Sequence, residues 1–240
     1  MTGPVGALSG LAAMPLVGVP GLGLSAATLR PSFRAAGAAG GATVVTLPGF
    51  GRPAPRRSAV DPPVQATRLL DRIGELGIGP CVLVGHSAGC QVVAEVAALA
   101  PGVVAALVLI GPTTDPRART RSRLAARWLR TTVHEPAAQA PLLVRDYTRT
   151  GPVAMARTMG AARRHRIENP LLVVSCPVLV LRGPRDRIAP ADWIATLARI
   201  TAHGTAVTLA KGAHMVPLTE PDDVGAAISS FLTRAVHRAT

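Results

Sequence analysis

Short apolar runs alternate with longer helix-like segments along most of this chain, the signature of an α/β fold built on a mostly parallel sheet flanked by helices. The runs are "MPLVGVP" (14–20), "ATVVTLP" (42–48), "CVLVG" (81–85), "VVAALVLIG" (103–111), "CPVLVLRG" (176–183) and "TAVTLA" (205–210). Between them lie segments of helical composition. Residues 25–40 form one, with Pro31 in its first turn or as a kink. From Val64 to Leu76, Leu69, Leu70, Ile73 and Leu76 recur at helical spacing. Residues 88–100 are stopped by Pro101 and Gly102, and helices over 190–202 and 221–237 follow the last two runs. Pro190 and Pro221 suit a first helical turn, where a missing N–H costs nothing. At 240 residues, 48% of them apolar, the chain can bury one substantial core, and disorder is not the default. Aromatics supply only 2%, so Ala, Val and Leu must do the packing.

Residues 112–170 break the rhythm. This stretch is helical in composition and holds no strand candidate, and it reads as a helical cap inserted into a core made of residues 1–111 and 171–240. It also concentrates charge, with 12 Arg against Asp115, Glu135, Asp146 and Glu168. The whole chain carries a formal net charge of +13. Such charge invites a nucleic-acid reading, but neither interleaved aromatics nor a binding motif accompanies it. An arginine-biased solvated surface, or attraction for an anionic small substrate, is the expectation instead.

No apolar run approaches the roughly 20 residues that span a bilayer. The N-terminal "MTGPVGALSGLAAM" has no Lys or Arg ahead of an apolar stretch and makes a poor secretory signal, so a cytoplasmic location is expected. Three cysteines, Cys81, Cys90 and Cys176, lie in or beside apolar segments and read as buried thiols rather than a disulfide framework or a zinc site. Neither a metal nor another cofactor is expected.

The run "CVLVG" ends abruptly in "GHSAG", that is Gly85, His86, Ser87, Ala88 and Gly89. A serine forced into a sharp strand-to-helix turn needs small neighbours two residues away on either side. In return its hydroxyl stands exposed at a helix N-terminus, where free N–H groups favour developing negative charge. The pentapeptide alone is weak in a chain with 24 glycines; the strand before it and the helix after it strengthen it. A serine hydroxyl needs a base. His214, in "KGAHMVPLTEP" past the last strand, falls at the same sheet edge as Ser87. His86 is expected to pack on the turn, His203 to cap a helix, and His134, His165 and His237 to be solvated. The base in turn needs an acid to hold its tautomer. Asp186 follows a strand in "VLVLRGPRDRIAP", and Asp115 in "LVLIGPTTDP" is the reserve candidate.

The order Ser87, Asp186, His214 and the segments around each resemble the α/β-hydrolase superfamily, in its serine-nucleophile branch. "VTLPGFGRP" is similar to a loop many members carry, and the resemblance spans roughly residues 15–235. It implies the α/β-hydrolase fold with a lid where residues 112–170 lie, and a serine hydrolase with no cofactor. It further implies that the backbone N–H groups of Leu22 and Ala88 form an oxyanion hole. Two departures stand out. Pro20 in "VPGLG" replaces the histidine usual before that glycine, a change that leaves the backbone donor in place. Only some 14 residues precede the first clear strand, so the sheet is expected to be shortened at its N-terminal side.

The leading expectation is hydrolysis of an ester-type bond of a small, mainly apolar acyl substrate. Thioester or carbon–carbon bond hydrolysis, acyl transfer, and a non-catalytic ligand-binding receptor remain as alternatives. Met215 beside the base should make the mouth of the site apolar. Trp128, with Tyr147, Met155 and Met159, is a candidate substrate contact in the inserted segment, against a plainer role in core packing. Cys90 should pack beneath the serine turn. Membrane and nucleic-acid partners are not expected, and the oligomeric state is left open.

Overall fold

The computed structural model describes residues 11–38 and 41–237. The first ten residues, which open the apolar N-terminal stretch, and the side chain of His237 lie outside what is described.

Six strands form one parallel sheet. They are β1 (Leu16–Val19), β2 (Ala42–Val44), β3 (Cys81–His86), β4 (Val104–Ile110), β5 (Val178–Arg182) and β6 (Gly204–Thr208). Their order across the sheet is β2-β1-β3-β4-β5-β6 and every neighbouring pair is parallel. The chain therefore winds outward from β1 to β2, returns, and continues from β3 in the other direction. The crevice between the C-terminal ends of β1 and β3 is the switch point at which such sheets bind ligands.

Both faces of the sheet are covered, which is why the central strands read as unbroken apolar runs. On one face, Leu83 and Leu107 pack with α2 (Pro62–Glu75), α3 (Gly89–Leu99) and α8 (Ala191–Ile200) through Leu69, Val92 and Leu197. On the other, Val82 and Val108 meet α1 (Arg30–Ala35), α9 (Val216–Thr219) and α10 (Pro221–His237) through Phe33, Val216, Val224 and Phe231. Pro31 sits in the first turn of α1, and Pro221 opens α10; Pro190 stands one place earlier than expected, as the residue before α8. Leu76 departs from the apolar face assigned to it. It follows the last residue of α2 and is exposed, because the helix ends before that position turns back toward the sheet.

The run 42–48 is not one strand. It pairs with β1 through Val44, and the Val45 N–H still reaches the Gly18 carbonyl at 2.8 Å. The chain then bends into a two-residue ribbon, Leu47–Pro48 against Gly51–Arg52. Pro48 has no N–H to donate to a ladder, and its carbonyl instead accepts from Gln65 Nε2.

Between β4 and β5, residues 112–170 hold α4 (Arg121–Thr132), α5 (Ala140–Thr150) and α6 (Pro152–Arg164), with α7 (Glu168–Leu171) straddling the far end. No strand forms in this segment. Its near end is tied down by Asp115, a buried carboxylate that accepts from Arg127 at 2.6 Å and from Arg117 at 2.8 Å. Arg117 also pairs with Asp192 of α8.

Candidate active site

Ser87 stands between the end of β3 and the start of α3 with φ +54°, a left-handed backbone that a side-chain-bearing residue rarely adopts. Two close approaches explain the glycines around it. A Cβ on Gly85 would lie 2.6 Å from the Cα of Cys90, and one on Gly89 would lie 2.5 Å from the carbonyl oxygen of Val19. Strand, turn and helix can be this tight only where both positions lack a side chain. Cys90 lies beneath the turn, wholly buried, and its thiol donates to the Gly85 carbonyl at 3.2 Å. Burial pushes that thiol well above its ordinary pKa, so it stays protonated and inert.

The structure brings Ser87, His214 and Asp186 together. His214 Nε2 lies 2.8 Å from Ser87 Oγ, and its Nδ1 lies 2.8 Å from Asp186 Oδ2. Asp186 is fully buried, and its other oxygen accepts the N–H groups of Ile188 at 2.8 Å and Ala189 at 3.0 Å. Burial alone would raise its pKa; the charge and hydrogen bond of His214, with those two N–H groups, hold it below the usual carboxylate value. Burial alone would likewise lower the pKa of His214. The charge and hydrogen bond of Asp186, then the charge of Glu135, outweigh it and raise the imidazole above its ordinary value. An imidazole at this distance is placed where it can accept a proton from the hydroxyl it faces.

Asp115, the reserve acid, is excluded from this arrangement by its own partners, since both of its oxygens accept from Arg117 and Arg127. His86 does more than pack. It is fully buried, its Nε2–H donates to the backbone carbonyl of His214 at 3.0 Å, and burial with the nearby charge of His214 lowers its pKa to about 3. A permanently neutral ring thus holds the loop of the neighbouring histidine. His165 corrects the expectation of a solvated ring, because Nε2 pairs with Glu95 at 2.6 Å and the side chain is nearly buried. His134 is exposed as expected. His203, expected to cap a helix, is instead exposed two residues past the C-cap of α8, which is Thr201, and only its backbone carbonyl is used, accepting from Val178 at 3.0 Å.

Leu22 lies just past β1 and Ala88 just past Ser87, so their N–H groups come from the two sides of the switch-point crevice. Neither N–H is engaged in a hydrogen bond among the described residues. Over Ser87 and His214 opens a cavity of about 390 Å³. Its walls include Leu22, Ala88 and Met215 from the sheet side, and Trp128, Tyr147, Met155 and Met159 from the inserted helices. Met215 is buried, whereas Trp128 is half exposed at the rim. Of the segment's twelve arginines, Arg121 and Arg163 border the cavity.

Three contributors had no signature in the sequence. Arg182, buried at the end of β5, donates to the carbonyls of Ala189 and Asp186, each at 2.7 Å, and so staples the loop that carries the acid. Glu135 accepts the N–H groups of His214 at 2.7 Å and Met215 at 2.9 Å. Thr131 Oγ1 accepts the N–H of Arg187 at 3.0 Å. Each works through backbone partners, so no pattern of side chains announces it.

A (E)-2-((N-methylformamido)methylene)succinate hydrolase of Acinetobacter baylyi is 37% identical over 59 residues, 25% of this chain and 22% of that protein. Among solved structures, a thermophilic esterase from Thermogutta terrifontis shares 19% identity with a TM-score of 0.72, covering 92% of this chain and 90% of its own. An E-2-(acetamidomethylene)succinate hydrolase matches equally well, at 20% identity and a TM-score of 0.72, over 92% and 91%. At such identities these likenesses concern the fold. The model of the alpha/beta hydrolase family matches residues 16–227, from the first strand of the sheet into the last helix. This chain belongs to the alpha/beta hydrolase family.

Proposed function

We propose that the protein is a serine hydrolase that cleaves an ester-type bond of a small, mainly apolar substrate. Ser87 Oγ attacks the acyl carbon while His214 Nε2 takes its proton, and Asp186 fixes the ring's tautomer and stabilises the imidazolium. The N–H groups of Leu22 and Ala88 stabilise the oxyanion, a contribution of about 100-fold or more per donor in such chemistry. His214 then returns the proton to the leaving alcohol. Water, deprotonated by the same ring, attacks the acyl-enzyme, and the ring reprotonates Ser87 as the acid departs. The observation that carries this reading is the 2.8 Å approach of His214 Nε2 to a serine held at a left-handed φ. The apolar walls of the cavity support a mainly apolar acyl group.

The test is hydrolysis of p-nitrophenyl butyrate. Wild-type protein is expected to turn it over with a burst of nitrophenol, and Ser87→Ala to abolish both burst and turnover while leaving the circular dichroism spectrum unchanged. A Ser87→Ala variant as active as wild type would overturn the proposal. Thioesters, lactones and β-diketones, each with and without an alcohol acceptor, separate the other outcomes of an acyl-enzyme or carbon–carbon cleavage on the same three residues.

A second reading concerns the substrate's charge. Arg121 and Arg163 border the cavity, and the curated relative is named for a substituted succinate. A carboxylate carried by the acyl group would meet a guanidinium there. A mono-p-nitrophenyl ester of glutarate should then show a higher kcat/KM than the butyrate, and Arg163→Ala should remove the difference.

A further inference from the structure

The inserted segment does more than cover the cavity. The last turn of α4 and the residues just past it reach the two loops that carry Asp186 and His214. Thr131 Oγ1, 2% exposed, accepts the N–H of Arg187 in the acid's loop at 3.0 Å. Four residues on, Glu135 Oε1 accepts two N–H groups of the base's loop, those of His214 at 2.7 Å and Met215 at 2.9 Å. The remaining oxygen of Glu135 is not free to turn away, since Gln139 Nε2 donates to it at 3.0 Å.

We propose that Glu135 is a positioning residue for His214: a carboxylate from the inserted segment that grips the base's loop by its backbone and makes docking of that segment a condition of a competent Ser87–His214 pair. This inference rests on the reading of Ser87 and His214 as nucleophile and base. Two charge-assisted bonds to consecutive N–H groups fix the direction of the peptide that leads into the imidazole. His86 fixes the next group of the same loop, the His214 carbonyl, from β3. The ring is therefore located from below by the sheet and from above by the inserted helices. If the segment swings away, the upper attachment is lost and the ring is no longer aimed at Ser87 Oγ.

Glu135 also acts through its charge. The groups that face His214 are Asp186 from the β5 loop, Glu135 from the end of α4, and His86 from β3, with Arg121 and Arg163 on the cavity wall. His86 stays neutral, so the two carboxylates set the field, and both favour the imidazolium. The base works only when neutral. A raised pKa moves the acidic limb of activity to higher pH, and loss of the Glu135 charge must move it down.

Two variants separate the parts. Glu135→Gln keeps a carbonyl acceptor for both N–H groups and removes the charge; Glu135→Ala removes both. In Glu135→Gln, the acidic limb of kcat/KM for p-nitrophenyl butyrate should shift to lower pH, with kcat on the alkaline plateau within about twofold of wild type. In Glu135→Ala, plateau kcat should fall about tenfold or more, the rate equivalent of one charge-assisted hydrogen bond, with KM changed far less. Titration of the His214 imidazole by NMR in the resting proteins reads the same effect without turnover: its pKa should be lower in Glu135→Gln than in wild type. An imidazole pKa and a plateau kcat unchanged in both variants would overturn the inference even if wild type hydrolyses the ester well. An inert wild type would instead remove the catalytic reading, while the NMR titration would still test whether Glu135 acts on this ring.

Discussion

Ser87 carries a backbone strain that only a surrounding structure can impose, and Gly85 and Gly89 show how it is imposed. β3, the turn and α3 approach so closely that a methyl group at either glycine would overlap backbone atoms. The turn thereby fixes the hydroxyl's position, and the two rings and one carboxylate behind it are buried, which on the proposed mechanism leaves little to reorganise as charge develops. Asp186→Asn tests how far the acid controls the ring. The amide can present an N–H where Oδ2 now accepts, which favours the wrong tautomer, and kcat should fall by about 10⁴ as in comparable triads. A loss smaller than tenfold would contradict that role. Ser87, Asp186 and His214 were legible in the sequence because each lies just past an apolar run and in a fixed order. Glu135, Arg182 and His86 were not, since their partners are backbone N–H and carbonyl groups that any residue offers; the Glu135–His214 contact closes over 79 positions.

At the scale of elements, strands were the most legible part. Burial on both faces leaves a continuous apolar signal, and each of the six runs overlaps a strand of the sheet, with β3 and β6 each reaching one residue outside theirs. The second run was misread in length because hydropathy does not reveal where a ladder ends. Val45 still bonds to β1, and the chain then leaves the sheet to form the short ribbon over residues 47–52. The Arg-rich segment was legible as helical but not in how it attaches. Asp115 is the clearest example: it looked like a spare acid and instead collects Arg117 and Arg127 at the base of α4. Burial alone would raise its pKa, yet hydrogen bonds from Arg117, then Arg127, hold it below the ordinary carboxylate value. A depressed carboxylate contributes stability that is fully present above its unfolded pKa and is lost as pH falls through the folded one. Asp115→Asn should therefore lower stability at pH 7 by about 1–3 kcal/mol, mostly through Arg127, because Arg117 is half exposed and screened. The deficit should vanish in strong acid. Urea titrations at both pH values check it, and an equal deficit at the two would contradict the assignment.

Over the whole molecule, basic charge gathers in residues 112–170, whose helices cover a cavity lined mainly by apolar side chains, with Arg121, Arg163 and the carboxylate of Glu135 at its border. A net charge of +13 draws anions toward the surface over roughly a Debye length, about 8–10 Å at moderate salt. If Arg121 and Arg163 receive a substrate carboxylate, kcat/KM for the glutarate half-ester should fall several-fold as salt rises from 50 to 500 mM, on the order of the screening of one or two charges. The neutral butyrate should be nearly unaffected. Parallel salt dependence for the two esters would leave the arginines as surface charge alone. No helix among the described residues is long and apolar enough to cross a membrane.

The central claim is that burial, strain and two hydrogen bonds turn one particular hydroxyl into a nucleophile. Intact mass spectrometry after exposure to a fluorophosphonate, followed by peptide mapping, tests it most directly. One adduct per chain is expected, on the peptide containing Ser87, with none after unfolding in urea or in His214→Ala. Folded wild-type protein that stays unlabelled, or that carries its adduct on another serine, would contradict it.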